Sequence, residues 1–216
     1  MKLIILDAGD AFELDGYNKL LINHPGKSKR IIELYAEYFG TEKVEIVVGY
    51  KAMDVMNLYP KFSYKYNKNW QTTSSGYSLS LALSDEPCFV VPSDFILDES
   101  TVEQMSAYDN CALIKYTENR RPSSLNAQLS NEGKVESIYR GHSRNNDPEI
   151  TGVFKISDVN LLSEWRKRCV LDPHGYAGEN LPFDLGCNVM SVTATDKTFE
   201  INTPEDYIQF LREAYS

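Results

Sequence analysis

The sequence predicts an α/β protein in which a mostly parallel, mixed sheet is flanked by helices, with a more antiparallel lobe in the second half. Three observations predict this fold class. Short apolar runs of buried-strand type alternate with helical patterns through the first half of the chain. Glycines such as Gly40 and Gly49 close several of these elements. The second half instead carries a hairpin signal, Asn131-Glu132-Gly133, between two alternating runs.

The first half of the chain, about residues 1–110, alternates between strand and helix patterns. The helix predicted over 28–39 places Ile31, Tyr35 and Phe39 on one face and ends at Gly40. The other predicted elements are strands at 2–6, 44–48, 62–67 and 88–91 and helices at 52–58 and 75–84. Because helices connect parallel strands, the carboxyl ends of the strands meet at one edge, where ligands bind in such sheets.

The second half, about residues 111–200, combines hairpins with one long helix. Its predicted elements are strands at 111–116, 125–129, 135–139 and 149–156, a helix at 159–168, and a second hairpin formed by 189–194 and 198–201. A final helix is predicted at 203–215, with Thr203 suited to its N-cap and Pro204 to its first turn. We expect the whole chain, 1–216, to form one domain.

The composition argues against several classes of function. The net charge of −9 disfavours nonspecific binding to nucleic acid or to an anionic membrane, because both need a basic surface. No apolar run approaches the ~18–20 residues that span a bilayer, and the first residues turn acidic too early for a signal peptide. The four cysteines form no C-x-x-C pair, which favours reduced thiols in a cytoplasmic protein. A two-fold homodimer is the default assembly.

Two loops at predicted strand ends are rich in small and polar residues. The first reads Leu6-Asp7-Ala8-Gly9-Asp10-Ala11, and Lys19 is the only cation from there to position 21. Its small residues let the backbone approach a ligand closely, although an ordinary strand-to-helix turn would look similar. The second loop, 71–76, ends in Ser74-Ser75-Gly76. It is suited either to contact a nucleobase or sugar or simply to cap a helix.

Two further residues follow strands at the same predicted edge of the sheet. Asp94 comes directly after a buried strand, in Pro92-Ser93-Asp94, and Asn202 follows a strand just before the last helix. A hard cation such as Mg²⁺ prefers oxygen ligands and shares phosphate oxygens, so this pair could hold one. Each residue alone is also compatible with a turn or a helix cap.

Taken in order, these segments resemble the nucleotidylyltransferase family with a glycosyltransferase-A-type, Rossmann-like fold. Residues 6–13 resemble the family's opening motif L-A-A-G-x-G-x-R, and Asn18-Lys19 resembles the P-K or D-K that follows it. Residues 47–51 resemble V-x-G-Y-K, and residues 77–79 resemble Y-S-L. Ser93-Asp94 corresponds to the family's G-D, and residues 201–206 correspond to I-D/N-T-P-E-D. The resemblance covers nearly the whole chain apart from 119–146 and 172–187. It is nearest to bacterial phosphocholine and phosphonate cytidylyltransferases and to sugar-phosphate nucleotidylyltransferases.

The resemblance implies transfer of a nucleoside monophosphate, CMP from CTP above the other nucleotides, to a small phosphorylated or phosphonate acceptor with release of pyrophosphate. The product would be an activated precursor for a surface polysaccharide or lipid. Lys19 and Asp94 would be catalytic, and Asp94 and Asn202 would hold Mg²⁺. The nucleotide would be bound by Leu6, Ala8, Gly9, Asp10, Ala11, Ser74, Ser75 and Gly76.

The chain departs from the family pattern in the opening loop. Ala11 stands in place of the second glycine, and Glu13 in place of the arginine that would contact the triphosphate. A glutamate at that point would repel phosphate. Mg²⁺ and another cation could compensate, and the candidates are Lys27, Lys29, Arg30 and Arg140. Otherwise the chain is a degenerate module that binds a nucleotide without catalysis.

The acceptor side has weaker signals. The candidate acceptor-binding residues are Tyr66, Tyr77, Arg140 and His174. A Gly/Pro-rich loop at 173–180 could close over an acceptor, and Tyr66 could line a cationic head-group pocket through cation–π contact. Sugar phosphates remain alternative acceptors. A retaining glycosyltransferase would need D-x-D where the chain has Ser93-Asp94-Phe95, and a dehydrogenase would need glycines beyond Gly9.

Overall fold

The structure is a computed structural model that describes residues 1–117, 124–144, 146–186 and 188–214. Its strands are β1 (Lys2–Asp7), β2 (Asn23–His24), β3 (Lys29–Arg30), β4 (Val44–Val48), β5 (Ser63–Tyr66), β6 (Cys88–Pro92), β7 (Phe95–Ile96), β8 (Asn110–Lys115), β9 (Leu125–Leu129), β10 (Val135–Arg140), β11 (Glu149–Ile156), β12 (Met190–Thr193) and β13 (Phe199–Glu200). Its helices are α1 (Ile31–Phe39), α2 (Ala52–Leu58), α3 (Ser75–Ser80), α4 (Glu99–Ser106), α5 (Val159–Leu171) and α6 (Pro204–Glu213).

Nine strands of the described ranges form one mixed sheet in the order β10-β9-β11-β6-β1-β4-β5, and β8 and β12 extend it beside β11. Strand β1 is parallel to β4 and β6, and β4 is parallel to β5. Strand β11 runs antiparallel to β6, β8 and β9. The predicted fold class is therefore confirmed: the sheet is mostly parallel in the first half and more antiparallel in the second. Because the strand order reverses between β1 and β6, a crevice opens beyond their carboxyl ends.

Helices cover both faces of the sheet because successive side chains of a buried strand point to opposite sides. Leu3 of β1 joins an apolar cluster with α1 and α6, in which Phe210 is fully buried. Ile4 joins a second cluster with α3 and α5, in which Trp165 is fully buried. In the described ranges, none of the helices combines the length and hydropathy that a membrane crossing requires.

The cysteines of the described residues are Cys88, Cys111 and Cys169, and each is buried and free. Cys187 lies outside the described residues, as does position 215 of the predicted last helix. Burial raises the pKa of each of the three thiols to about 12, so they remain protonated and unreactive at neutral pH.

Several element ends differ from the prediction. Helix α1 begins at Ile31 rather than 28, because Ser28 has a left-handed backbone with φ of 50° and Lys29–Arg30 pairs with Asn23–His24. Helix α3 ends at Ser80 rather than 84, and α5 continues past 168 to Leu171. In each case a turn or cap, and not the apolar period, sets the end.

The predicted hairpin of 189–194 and 198–201 is wrong. Strand β12 runs parallel to β8, and β13 pairs with β7 in a separate two-stranded sheet. The turn between them is held by Asp98, whose Oδ1 accepts hydrogen bonds from Thr195 (2.8 Å) and Thr198 (3.2 Å). Asp98 also caps helix α4, which the sequence patterns did not predict. A distant helix cap therefore turns β13 away from β12.

Candidate active site

The carboxyl ends of β1 and β6 lie side by side and open into a cavity of about 320 Å³. The Ser93 N–H donates to Leu6 O at 3.0 Å, and the Tyr50 N–H donates to Ala8 O at 3.0 Å. Gly49 permits this approach, because a Cβ there would lie 2.5 Å from Ala8 O. The backbone after β1 is thus fixed between two neighbouring chain segments.

Seven of the residues that the resemblance assigns to the nucleotide line this cavity. They are Leu6, Ala8, Gly9, Asp10, Ala11, Ser74 and Ser75. Gly76 lies behind the wall: its N–H donates to Gly175 O at 3.2 Å, and a Cβ there would lie 2.6 Å from the same oxygen. Gly76 therefore serves packing beneath the lining.

Lys19, Asp94 and Asn202 converge at the rim of the cavity. Lys19 Nζ donates to Asn202 Oδ1 at 3.0 Å and lies 4.0 Å from Asp94 Oδ2. The Lys19 side chain is only 12% exposed. Asn202 is held in turn, because its N–H donates to Asp206 Oδ2 at 2.9 Å and its amide to Glu200 Oε1 at 2.6 Å. The opening loop and the last strand-to-helix junction thus form one polar cluster.

Asp94 has a free carboxylate oxygen suited to a cation. Its Oδ1 is buried and accepts no hydrogen bond from the described part of the chain. Burial raises the pKa of this carboxyl, against the lowering effect of Lys19. Asn202 Oδ1 is taken by Lys19, so Asp94 Oδ1 is the better placed ligand.

The donor set fits Mg²⁺ that arrives with a phosphate substrate. Within the described residues, no group of three His, Cys, Asp or Glu side chains could hold a metal ion by itself. Mg²⁺ commonly uses one or two carboxylates and takes its other oxygens from phosphate and water. Asp94 meets that requirement, and Asn202 would join it only if Lys19 released the amide oxygen.

Asp7 lies in the same cavity, although the sequence reasoning assigned it no role. Its carboxylate accepts a 2.7 Å hydrogen bond from the Asn18 amide. Burial raises the pKa of Asp7 to about 6, against the opposing effects of Asn18, Ser93 and Lys19. The available signal was an acidic residue ending an apolar strand where the related family has alanine.

The Gly/Pro-rich loop packs against the serine segment. The Ser74 N–H donates to Pro173 O and its hydroxyl to His174 O, both at 2.8 Å. The Ala177 N–H donates to Ser75 Oγ at 3.1 Å. Ser74 occupies the N-cap of α3 by position, yet its hydroxyl bonds this loop and not the helix. The loop therefore completes the wall of the first cavity.

Tyr176 of this loop lines the cavity and is held from behind by Arg140. The Arg140 guanidinium carbon lies 4.5 Å from the centroid of the Tyr176 ring. Arg140 also forms two hydrogen bonds to Glu179, at 3.1 and 2.6 Å, and the Glu179 carboxylate accepts the Tyr176 N–H at 2.9 Å. Tyr176 carries no signal in the sequence, because only the docking of the loop brings it to the site.

A second cavity, of about 630 Å³, lies on the other side of Asn202. Lys115 lies in its wall and forms ion pairs with Glu149, at 3.5 Å, and with Glu200. Phe95 contributes an apolar surface. Among the described residues, the proposed acceptor residues Tyr66, Tyr77, Arg140 and His174 line neither this cavity nor the first. Tyr66 is 61% exposed at the end of β5.

Comparison with known proteins identifies the fold. No protein-family model matches the sequence, and no curated protein matches it. The CTP:phosphocholine cytidylyltransferase from Streptococcus pneumoniae is similar, with a TM-score of 0.77, 18% identity and coverage of 98% of each chain. The inositol-1-phosphate CTP transferase from T. maritima has a TM-score of 0.71 and 18% identity, over 100% of this chain and 96% of that one. This chain has the nucleotidylyltransferase fold.

A nucleoside-diphosphate-sugar pyrophosphorylase from Vibrio cholerae shares the nucleotidylyltransferase fold, with a TM-score of 0.70 and 13% identity over 97% of this chain and 99% of that one. These likenesses match the family that the motifs resemble. They extend over the whole chain, including the segments in which no motif stands out.

Glu13, which stands where the family has arginine, lies outside the first cavity. Glu13 lies on an exposed 3₁₀ turn, Phe12–Leu14, outside the cavity lining. The four cations expected to compensate are engaged elsewhere: Lys27 with Tyr38, Lys29 with Glu37, Arg30 with Tyr59 and Arg140 with Glu179. In this arrangement none of the four lines the first cavity, and the expected effect of Glu13 on phosphate binding stays a prediction.

Proposed function

We propose that this protein is a Mg²⁺-dependent nucleotidylyltransferase that transfers CMP from CTP to a small phosphorylated or phosphonate acceptor. One observation carries the proposal: the Lys19–Asn202 hydrogen bond connects the lining of the first cavity to that of the second. Lys19 and Asp94 line the first cavity and Asn202 lines the second. A nucleotide in the first and an acceptor in the second would face each other across these three side chains.

The first cavity suits a nucleoside triphosphate. Backbone groups of the small residues 8–11 can approach phosphate oxygens, and the Ser74 and Ser75 segment offers polar groups to the base or ribose. Lys19 would place its charge beside the α-phosphate. An acceptor oxygen would form a bond to the α-phosphorus while the bond to the bridging oxygen breaks, and pyrophosphate would leave with that electron pair.

Such a reaction needs mainly positioning and charge from the protein. When bound, Mg²⁺ would neutralise charge on the α-phosphate and the acceptor oxygen. Asp94 Oδ1 would hold it, since that oxygen is buried and accepts no hydrogen bond from the described residues. Lys19, with its side chain mostly buried, would exclude water from the rim while it binds phosphate.

The preference for CTP is supported by the S. pneumoniae CTP:phosphocholine cytidylyltransferase and the T. maritima inositol-1-phosphate CTP transferase, since both enzymes have CTP in their names. The alternative is a sugar 1-phosphate acceptor with UTP, dTTP or GTP. It is supported by the V. cholerae protein, a nucleoside-diphosphate-sugar pyrophosphorylase. The reaction would take place in the cytoplasm, and its product would serve surface polysaccharide or lipid synthesis. Cys88, Cys111 and Cys169, the cysteines of the described ranges, are free and buried, which supports that compartment.

The proposal is tested by measuring pyrophosphate release. CTP, UTP, GTP, ATP and dTTP are each combined with Mg²⁺ and a panel of phosphorylated alcohols, phosphonates and sugar phosphates. We expect release with one pairing, and a loss of at least about a hundredfold in Asp94→Ala. Asp109→Ala, which removes an exposed carboxylate, is the matched control.

Two results would contradict the proposal. Full turnover in Asp94→Ala would remove Asp94 from the reaction. Nucleotide binding without pyrophosphate release from any pairing would instead support a module that binds nucleotide without catalysis.

A further inference from the structure

The nucleotide cavity holds a second cation, Lys51, to which the proposed mechanism gives no role. We propose that Lys51, held by Gly16 and Tyr50, binds the β- and γ-phosphates of the nucleoside triphosphate and the departing pyrophosphate. This inference rests on the proposed function, and its test separates the two.

The backbone directs Lys51 into the cavity. Lys51 follows β4 and precedes α2, with a left-handed φ of 46° that non-glycine residues seldom adopt. Such a conformation persists where the surroundings enforce it, and it is common at ligand sites. Here the side chain turns back towards the opening loop, where Nζ donates a 3.1 Å hydrogen bond to Gly16 O.

The opening loop leaves space for the Lys51 amine. Gly16 has a φ of 71°, and a Cβ there would lie 2.7 Å from Lys51 Nζ and 2.9 Å from the Tyr50 hydroxyl. Lys51 Nζ also lies 5.5 Å from the centroid of the Tyr50 ring. The loop and the amine are therefore fitted to each other, and a side chain at position 16 would displace the charge.

The charges of the cavity favour the same assignment. Among its described lining residues, the carboxylates are Asp7, Asp10 and Asp94, and the cations are Lys19 and Lys51. Lys19 is committed to Asp94 and to Asn202, which lines the second cavity. Among the described lining residues, Lys51 is therefore the cation left for the phosphates that do not react with the acceptor.

Lys51 has hydrogen-bonding capacity to spare. An ammonium group donates three hydrogen bonds, and the structure uses one of them, to Gly16 O. The residue is exposed to solvent, so a phosphate can reach it without prior rearrangement of the wall. Charge-assisted hydrogen bonds to phosphate are among the stronger polar contacts in proteins.

Isothermal titration calorimetry in the presence of Mg²⁺ tests the assignment. Wild type, Lys51→Met, Lys51→Arg and Lys43→Met are titrated with pyrophosphate and with the triphosphate and monophosphate of each of the five nucleosides. We expect Lys51→Met to weaken triphosphate and pyrophosphate binding by about tenfold to a hundredfold, and to leave monophosphate binding unchanged. Lys51→Arg should retain most of the affinity.

Lys43→Met is the matched control, because Lys43 precedes β4 and lies in the Thr41–Lys43 turn at the opposite end of that strand. Lys51→Gly is the second variant. Glycine accepts the left-handed backbone without strain, so this variant should fold, and it should bind as Lys51→Met does.

The possible outcomes are distinct. Equal losses of triphosphate and monophosphate binding would make Lys51 a structural support of the loop and would overturn the assignment. Unchanged triphosphate binding in Lys51→Met and Lys51→Gly would overturn it as well. A wild-type protein that binds none of the five triphosphates would overturn the proposed function and this assignment with it.

Discussion

The Nζ atom of Lys19 lies 3.0 Å from Oδ1 of Asn202, although 183 positions separate the two residues in the chain. Lys19 sits in a 3₁₀ turn that Asn18 caps by accepting a 3.0 Å hydrogen bond from the Leu20 N–H. Asn202 sits before α6, where Asp206 holds its backbone. The contact links a side chain that lines the first cavity to one that lines the second, so a change at either residue should affect transfer.

Lys19→Ala should abolish turnover. The substitution removes a mostly buried charge where we place the α-phosphate, and we expect a loss of about 10²- to 10³-fold in kcat. Pyrophosphate release by the purified variant measures the effect. Lys27→Ala is the control, since Lys27 is exposed and bonds Tyr38 away from the cavity. Turnover at the wild-type rate in Lys19→Ala would refute the assignment of this lysine.

Asp7→Asn should stabilise the protein above pH 6. The folded pKa of Asp7, about 6, lies above its ordinary value of 3.8, so the free energy of unfolding of the wild type falls as pH rises through that interval and stays lower above it. Asparagine does not ionise, so the free energy of unfolding of the variant does not fall in this way. We expect a gain of about 1–3 kcal/mol at pH 8 and little change near pH 4.

Urea unfolding at pH 4 and pH 8 measures this difference. Asp85→Asn, at an exposed carboxylate, is the control and should show no such dependence on pH. If Asp7→Asn had the same free energy of unfolding as the wild type at pH 8, burial of the ionised Asp7 carboxylate would not destabilise the protein.

Arg140→Ala should weaken nucleotide binding and leave acceptor binding unchanged. Arg140 packs on Tyr176 and bonds Glu179, so its loss should loosen the loop that completes the first cavity. Because the pair is exposed, we expect about a threefold rise in KM for the nucleotide. Arg144→Ala is the matched control. The Arg144 guanidinium carbon lies 4.5 Å from the centroid of the Tyr139 ring, and neither residue lines the first cavity. A rise in KM for the acceptor alone would contradict this role and support the predicted role of Arg140 in acceptor binding.

Asp98→Asn should destabilise the protein at neutral pH. Burial alone would raise the pKa of Asp98, but hydrogen bonds from Ser100, Thr101, Thr195 and Thr198 outweigh it and lower the pKa to about 2. Its contribution to stability is therefore present above about pH 4 and is lost as pH falls towards 2. Solvent screening limits the effect to about 1 kcal/mol.

Thermal melts at pH 7 and pH 3 measure that contribution. The variant should melt below the wild type at pH 7, and the gap should narrow at pH 3. Glu99→Gln, in the exposed first turn of the same helix, is the control. Equal melting temperatures at pH 7 would show that the cap and the threonine turn do not depend on the charge.

The sequence predicted the fold where the apolar period is strong and local. Strands Val44–Val48 and Glu149–Ile156 and helix Ala52–Leu58 have the predicted bounds. The failure at β12 and β13 has a non-local cause: Asp98 holds the connecting turn from 97 and 100 positions away. No pattern within the turn could report that contact.

Some residues of the candidate site could likewise be predicted from the sequence, whereas others depend on contacts or backbone geometry that the sequence does not show. Asp94 could be expected at the site because it follows β6 at the carboxyl edge of the parallel strands, where such sheets bind ligands. Lys19 and Asn202 reach it by other routes, a 3₁₀ turn and the separate antiparallel pair of β13 and β7. The catalytic and metal-binding roles of all three stay predictions. Tyr176 could not be found this way, because its position depends on the docking of a loop. Lys51 does follow the carboxyl end of β4, but the direction of its side chain depends on a left-handed backbone that no sequence pattern shows.

The position of β6 has a consequence for any attempt to divide the chain. Strand β6 is paired with β1 on one side and with β11 on the other. A fragment of residues 1–110 would lack β11 and leave the apolar sequence Cys88–Pro92 as an open edge, which invites pairing between copies. The fragment should therefore aggregate when it is produced alone. During synthesis, β6 stays unpaired on this side until Glu149–Ile156 has left the ribosome. We therefore expect the nascent chain to depend on chaperones until then.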